Sequence, residues 1–468
     1  MRVLLVNTNR MQPPIAPVGL DYCAAALQAA GHAVDLLDLC FATDPPAAID
    51  RQLARAEYGL IGVTFRNTDD CYYPGRGWFV PELASVVRRL RQGSQAPLVL
   101  GGVGFSIMPR EILRAVNADG GVMGEGEFAL LRLANGDTAA PGVIWRADGQ
   151  WRAAPPQPAD LASLPPMRRD FVDNARYHRE GGQLGFETKR GCAAHCLYCA
   201  DPVAKGRTVR VRPPEAVAGE LAGLAAQGLI HLHTCDAEFN RPLDHALAVC
   251  EAISRRELGE RLRWYAYCAP TPFPDELARA LRRAGCAGID FGADSGDDEM
   301  LRRLGRDFSP EDVRLAVERC RRHGLLCMCD LLLGGPGETE PSVRRSLEFM
   351  RQISPERIGL SVGVRVYPGT PLAQLAAREP QALHGPGARS AEFFEPTFFL
   401  SPALGEGIFP LVSSIVGTDR RFFFSNPTAA DRNYNYSGND VLVDALRRGC
   451  RGAYWDILRR LQEGLPPE

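Results

Sequence analysis

The sequence predicts an α/β protein made of two successive parallel-sheet units followed by an aromatic-rich cap. Three observations carry that prediction. Apolar runs of strand length alternate with helical patterns over the first ~130 residues. The alternation breaks at a Pro/Ala/Asp-rich interval, then resumes near residue 183 and runs through six strand–helix units. Past residue 385 it stops, and aromatic clusters replace it. The expected domains are therefore 1–135, a linker over 136–182, a barrel-like unit over 183–385 and a cap over 386–468.

In the first unit the strand candidates are Arg2–Val6, Ala33–Leu39, Gly59–Phe65, Pro97–Leu100 and Gly121–Met123. Helical patterns such as Gly19–Ala30 and Pro81–Arg91 lie between them. Such alternation builds a parallel sheet covered on both faces, and ligands of such sheets sit at the carboxyl ends of the strands. Here those ends read NTNR, TFRNTDD, GGVGFS and GEGE, small and glycine-rich turns that let a ligand approach the backbone. The interval that follows, centred on APPQPADLASLPPMRRD, reads as a chain that spaces or wraps domains.

The second unit offers strands at Leu184–Thr188, Ile230–Thr234, Leu262–Tyr267, Gly288–Gly292, Leu325–Leu333 and Ile358–Val366. Helical patterns such as Pro214–Gln227 and Pro310–His323 separate them. This is a partial parallel barrel, whose chemistry belongs at the carboxyl ends of its strands. The cap carries EFFEPTFF, RRFFFSNP, RNYNYSGND and RGAYWDILRR, and either packs over the barrel or walls its pocket.

Composition narrows the function classes. A net charge of -2 gives no general attraction to nucleic acid or anionic lipid. No helix-turn-helix pattern or basic recognition stretch is present, and no apolar run approaches a membrane span. Neither nucleic acid nor membrane is expected as a partner. No export signal precedes MRVLLVN, so the fourteen cysteines are expected as reduced thiols in a cytoplasm.

Three of those cysteines, Cys192, Cys196 and Cys199, fall in RGCAAHCLYC, just after the first barrel strand. Thiolates in this number bind zinc or an iron–sulfur cluster. A closed zinc site wants a fourth ligand, and His195 stands awkwardly beside Cys196. A cluster with three cysteine ligands keeps one iron open to substrate or cofactor. CxxxCxxC with Tyr198 before the last cysteine resembles the signature of the radical S-adenosylmethionine superfamily.

That resemblance implies a [4Fe-4S] cluster on the three cysteines, with S-adenosylmethionine on the open iron. It also implies a 5′-deoxyadenosyl radical and an electron donor such as flavodoxin or ferredoxin. Other strand ends agree with it. Glu238 in DAEFN stands where the superfamily holds the methionine amino group, and Asp294 and Ser295 where it binds ribose. Gly334 and Gly335 in LLLGGPGET match the glycine-rich motif that packs on the nucleoside, and Tyr367 in VYPGTPL the adenine-binding end.

A parallel-sheet domain ahead of such a barrel resembles the cobalamin-binding subclass, in a likeness that covers nearly the whole chain. It implies a Rossmann-like cobalamin-binding domain, a partial (β/α)6 radical barrel and a C-terminal cap of helical and irregular structure. Gly101 and Gly102 would let the corrin tail pass, Thr64 would bond its base, and Gly124 and Glu125 would complete the edge. The DxHxxG loop of the better-known cobalamin proteins is replaced by NTNRMQPPIAPVG, which has no histidine to ligate cobalt. Arg66 stands either near that lower face or in a surface ion pair.

The implied function is a cobalamin-dependent radical methyltransferase acting on an unactivated carbon, or phosphorus, of a small metabolite through methylcobalamin. Other outcomes of the same fold stay open, with a first domain that need not bind cobalamin: rearrangement, cyclisation, or 3-amino-3-carboxypropyl transfer to a soft acceptor. A non-enzymatic sensor is the remaining reading. Cys235 and Cys268, near strand carboxyl ends, and Tyr267 are candidates for facing the substrate, against simple core packing.

Overall fold

In the computed structural model the described residues are 1–425 and 438–466. The first sheet contains β1 (Arg2–Asn7), β2 (Ala33–Asp38), β3 (Leu60–Thr64), β4 (Leu98–Gly101) and β5 (Gly120–Val122). All five pair in parallel, and the sheet is ordered 2-1-3-4-5 before it continues. Strand alternation sorts the side chains between two layers. Leu4, Val6, Ile61 and Val63 enter one core and Val3, Leu5, Leu60 and Val99 the other.

The sheet extends beyond the expected five strands. β6 (Val143–Ala147) and β7 (Gln150–Ala153) form an antiparallel hairpin on β5. These residues stood in the expected linker. Their short VIWRA and QWRA runs were masked by the Pro/Ala-rich sequence around them.

The second sheet contains β8 (Leu184–Phe186), β9 (His231–Thr234), β10 (Arg263–Cys268), β11 (Cys286–Asp294), β12 (Leu326–Leu333) and β13 (Arg357–Val362). They pair in parallel in sequence order. A seventh parallel strand, β14 (Phe422–Phe424), joins β13 from the expected cap. Outward side chains such as Trp264, Ala266, Ile289, Phe291, Cys327 and Cys329 pack on the helices in one large core.

The helix Tyr454–Glu463 closes the amino-terminal end of the barrel. Trp455 packs with Tyr265, Met328 and Phe423, and the buried Asp456 accepts a bond of 2.7 Å from the Tyr265 hydroxyl. Part of the cap therefore fills the barrel from below. The aromatic run RNYNY at 432–436 lies outside the described residues. Among the described residues no helix is long and apolar enough to cross a membrane.

Buried ion pairs lock the first domain to the barrel. Arg169, from the connecting segment, reaches Asp21 of the helix Val18–Ala29 at 3.0 Å and Glu220 of the barrel helix Pro214–Ala226 at 2.7 Å. Arg212 binds the same glutamate at 2.8 Å. The side chains of Arg169, Asp21 and Glu220 are 1–2% exposed. Arg190 beside the cysteine loop binds Glu127 of the first domain at 2.6 Å.

Removing one partner of a buried pair strands the others without water. Arg169→Ala is therefore expected to destabilise the folded chain by about 3–5 kcal/mol, read as a lower urea midpoint. An unchanged midpoint would show that the network does not hold the domains.

Candidate active site

The cysteine loop lies at the carboxyl end of β8, clamped by close backbone contacts. A Cβ on Gly191, whose φ is +85°, would lie 2.2 Å from the Thr208 carbonyl. The Leu197 N–H donates to Leu304 O at 2.8 Å, and Leu197 O accepts from Leu372 N–H at 2.9 Å. All three cysteines are half-buried and free of disulfides. Among the described residues no three ligating side chains converge tightly enough for a single metal ion. One zinc would draw its thiolates to within about 4 Å of each other, whereas a four-iron cluster spreads them over its corners. The donor set fits the cluster.

One arginine organises the space beside this loop. The Arg306 side chain is 7% exposed and lies 3.3 Å from Asp294 and 3.6 Å from Glu238. It donates to Cys196 Sγ at 2.8 Å and to Gly292 O at 2.6 Å. The Tyr198 hydroxyl donates to Asp294 at 2.6 Å. Tyr198, Glu238, Asp294 and Cys196 thus converge on Arg306, which sequence reasoning did not single out. Its signal was weak: an arginine after Gly305, where a Cβ would lie 2.4 Å from His195 O.

Ser295 does not join them. It is 1% exposed, and its hydroxyl shares a bond with Ser346 while accepting from Asp297 N–H. The chain turns at Asp294, φ +57°, and carries the next side chain under the helix Glu340–Ile353 instead of toward the site.

The glycine-rich end of β12 is tied down from inside. Gly334 and Gly335 both donate their N–H groups to Glu338, which is fully buried. Burial raises that carboxyl from 4.5 to about 7, against the pull of the two N–H groups. Tyr367, beyond β13, reaches back to the first domain. Its hydroxyl donates to Asp69 at 3.4 Å and lies 3.6 Å from Cys71 Sγ. Arg365 binds Asp69 through two nitrogens at 2.9 and 3.0 Å, with side chains 3% and 0% exposed.

At the carboxyl edge of the first sheet lies a cleft of about 960 Å³. Thr64, Gly101, Gly102, Gly124 and Glu125 all line it, with Leu5, Val99 and Leu130 as an apolar wall. Glu187, Arg190 and Lys205 line it from the barrel side. Gly102, φ +98°, could not carry a Cβ, which would lie 2.7 Å from Phe65 O. This narrow apolar slot with a polar rim fits the flat nucleotide tail of cobalamin. Glu125 also serves as a strut, accepting from Ala159 N–H at 2.8 Å and pairing with Arg210. Arg66 lies apart, exposed beside a separate hollow of about 500 Å³ and bonded to Asn67 at 3.2 Å.

Inside the barrel, strand alternation separates the remaining candidates. Tyr267 faces the lumen, 43% exposed, with its ring 4.7 Å from that of His233. Cys235 is exposed at the end of β9. Cys268 is not a lumen residue. It shares the outward face with Trp264 and Ala266, is 2% exposed and packs in the helix-side core. The two-residue period that turns Tyr267 inward turns Cys268 away. The lumen instead carries Asp290 and Asp330, which the sequence reading missed although CAGIDFGAD sets Asp290 between two glycines on one face.

Comparison with known proteins bears on both halves of this arrangement. The sequence model of the radical SAM superfamily matches residues 186–350, and that of the B12 binding domain residues 5–134. Tryptophan 2-C-methyltransferase of Streptomyces laurentii is 35% identical over 81% of this chain and 74% of its own. The structure of the radical S-adenosylmethionine methyltransferase TsrM of Kitasatospora setae, with tryptophan substrate and a SAM analogue bound, superposes with a TM-score of 0.91. It is 31% identical and covers 99% of this chain and 98% of that one. The cobalamin-dependent radical enzyme OxsB shares the fold, with a TM-score of 0.73 at 15% identity over 89% of this chain and 66% of its own.

The Glu338 carboxyl gives a pH signature. A folded value near 7, above the ordinary 4.5, favours the neutral form. Its stabilising contribution is full below the ordinary value and is lost as pH rises through about 7. Glu338→Gln should flatten that segment of the melting temperature against pH, measured by thermal unfolding of both proteins. Parallel curves would disprove it.

Proposed function

The chain belongs to the cobalamin-dependent radical S-adenosylmethionine methyltransferases, and on that premise we propose that it methylates a carbon of an aromatic amino acid of the tryptophan type. The full-length likeness to the tryptophan-bound methyltransferase carries this reading. The exposed Tyr267, whose ring lies 4.7 Å from that of His233, gives the lumen an aromatic surface and supports it. Methyl transfer is favoured over the rearranging and aminocarboxypropyl-transferring alternatives because both tryptophan relatives carry the methyltransferase name.

When bound, the cluster, S-adenosylmethionine and cobalamin supply the methyl group and the redox chemistry that no side chain can. This chain's residues hold and orient them. Cys192, Cys196 and Cys199 are the cluster ligands in this reading. Arg306 offsets negative charge gathered by the thiolate of Cys196, Glu238 and Asp294. Tyr198 and Asp294 form a polar edge beside the cysteine loop, and the tied glycine turn at Gly334–Gly335 offers a smooth backbone to the nucleoside. Thr64, Gly101, Gly102, Gly124 and Glu125 line the slot for the corrin tail. No histidine lies in the loop after β1 to hold cobalamin, and Arg66 lies beside a separate hollow outside the slot. The oxygen-sensitive cofactors call for a cytoplasmic setting and an electron donor of flavodoxin or ferredoxin type.

The test is anaerobic reconstitution with iron, sulfide and hydroxocobalamin, followed by reductant, S-adenosylmethionine and L-tryptophan. Mass spectrometry should find methyltryptophan and S-adenosylhomocysteine, both dependent on cobalamin. Cys196→Ala should lose cluster absorbance and product, whereas Cys268→Ala keeps both. S-adenosylhomocysteine formed without any methylated tryptophan would reject the proposed substrate.

A further inference from the structure

Arginine carries almost all the positive charge of this chain. Of its 54 basic residues only Lys189 and Lys205 are lysines, and the two bracket the cysteine loop, three residues before Cys192 and six after Cys199. Lys205 is paired with Asp201 at 3.0 Å. Lys189 differs. It is 4% exposed, and among the described residues its ammonium makes no ion pair or hydrogen bond. Asp236 holds the backbone here instead, accepting from the Thr188 N–H at 2.9 Å, the Thr188 hydroxyl at 2.6 Å and the Lys189 N–H at 3.2 Å.

The backbone decides where that charge points. Lys189 and Arg190 form a two-residue strand against Arg210–Val211, so their side chains leave on opposite sides. Arg190 turns to Glu127 of the first domain. Lys189 turns the other way, into a hollow of about 540 Å³ that it lines together with Cys192, Glu238, Arg241 and Asp307. The other charges of this hollow are matched. Arg241 binds Asp307 at 2.9 Å, and Glu238 lies 3.6 Å from both Arg241 and Arg306. A buried ammonium with no anion beside it is costly. The group that Cys192 helps to hold would supply that anion. An iron–sulfur cluster on three thiolates carries net negative charge, and more of it after accepting an electron.

We propose that Lys189 is the counter-charge of the iron–sulfur cluster and raises its reduction potential. Cluster potentials follow net charge, hydrogen bonds to sulfur and solvent exposure. A fixed positive charge in a site poor in water acts strongly over short distances. Lys189 acts through the cluster and is a positioning residue, not a ligand. Arg306 also meets the loop, donating to Cys196 Sγ, but its charge is shared with Asp294 and Glu238. In the electron step no bond forms or breaks: the donor of flavodoxin or ferredoxin type loses one electron and the cluster gains it. This inference rests on the reading of Cys192, Cys196 and Cys199 as cluster ligands.

The experiment follows the electron paramagnetic resonance signal of the reduced cluster in the cluster- and cobalamin-loaded enzyme, titrated with dithionite against mediator dyes without S-adenosylmethionine. The proteins are wild type, Lys189→Gln and Lys189→Arg, each assayed for iron and cobalamin. Lys189→Gln should take up an electron with an equilibrium constant about tenfold lower, a midpoint about 59 mV more negative for a one-electron couple. Lys189→Arg, which keeps the charge, should recover most of that difference. An unmoved midpoint in Lys189→Gln, or an equal shift in both variants, would overturn the proposal, because charge would not be the cause. Iron lost from Lys189→Gln alone supports the counter-charge, whereas iron lost from both variants overturns it in favour of packing. If wild type itself takes up no iron and gives no cluster signal, the cluster reading fails and takes this inference with it. If all three proteins hold equal iron and share one midpoint, only the inference fails.

Discussion

Everything about the site depends on where two separately built sheets meet, and buried charge fixes that meeting. Arg169 spans the two bodies, holding Asp21 on one side and Glu220 on the other, and is almost wholly shielded from water. Such an ion pair gains little over an apolar contact in net stability. Its value here is directional. Apolar surfaces tolerate sliding, whereas an arginine shared between two buried carboxylates does not. Arg190–Glu127 repeats the device beside the cysteine loop, and Arg365–Asp69 repeats it at the far side. Three fasteners between the two halves give them a single relative placement, as a reaction passing a group between two cofactors requires.

Within the barrel, charge is arranged in layers. The upper layer is balanced, with Arg306 serving Glu238, Asp294 and the Cys196 thiol together. Below it, Asp290 and Asp330 share the inward face of adjacent strands.

Much of this was legible in the sequence because it rests on short-range pattern. Strand runs such as RVLLVN and LCMCDLLL, and the CxxxCxxC loop after β8, need no knowledge of distant contacts. The glycines at the strand ends were readable for the same reason. What escaped was decided at long range. The hairpin at Val143–Ala153 joins the first sheet because β5 offers a free edge, which a proline-rich context conceals. Arg306 looks like any surface arginine until the fold brings it against residues 110 positions away. Cys268 and Ser295 were misplaced by proximity to strand ends alone. Side-chain parity sends the first outward, and a left-handed turn at Asp294 buries the second.

The Asp69–Arg365 pair joins positions 296 residues apart in the chain. The first domain has its own core and can gather early in synthesis, as domains generally do. Its RNTDD loop is different, because the partner of Asp69 emerges from the ribosome only with the sixth barrel strand. The loop at the carboxyl end of β3 is thus among the last parts of the molecule to settle. A half-made chain would present a finished sheet with an unfinished edge, and firm seating of the cofactor would wait on the barrel.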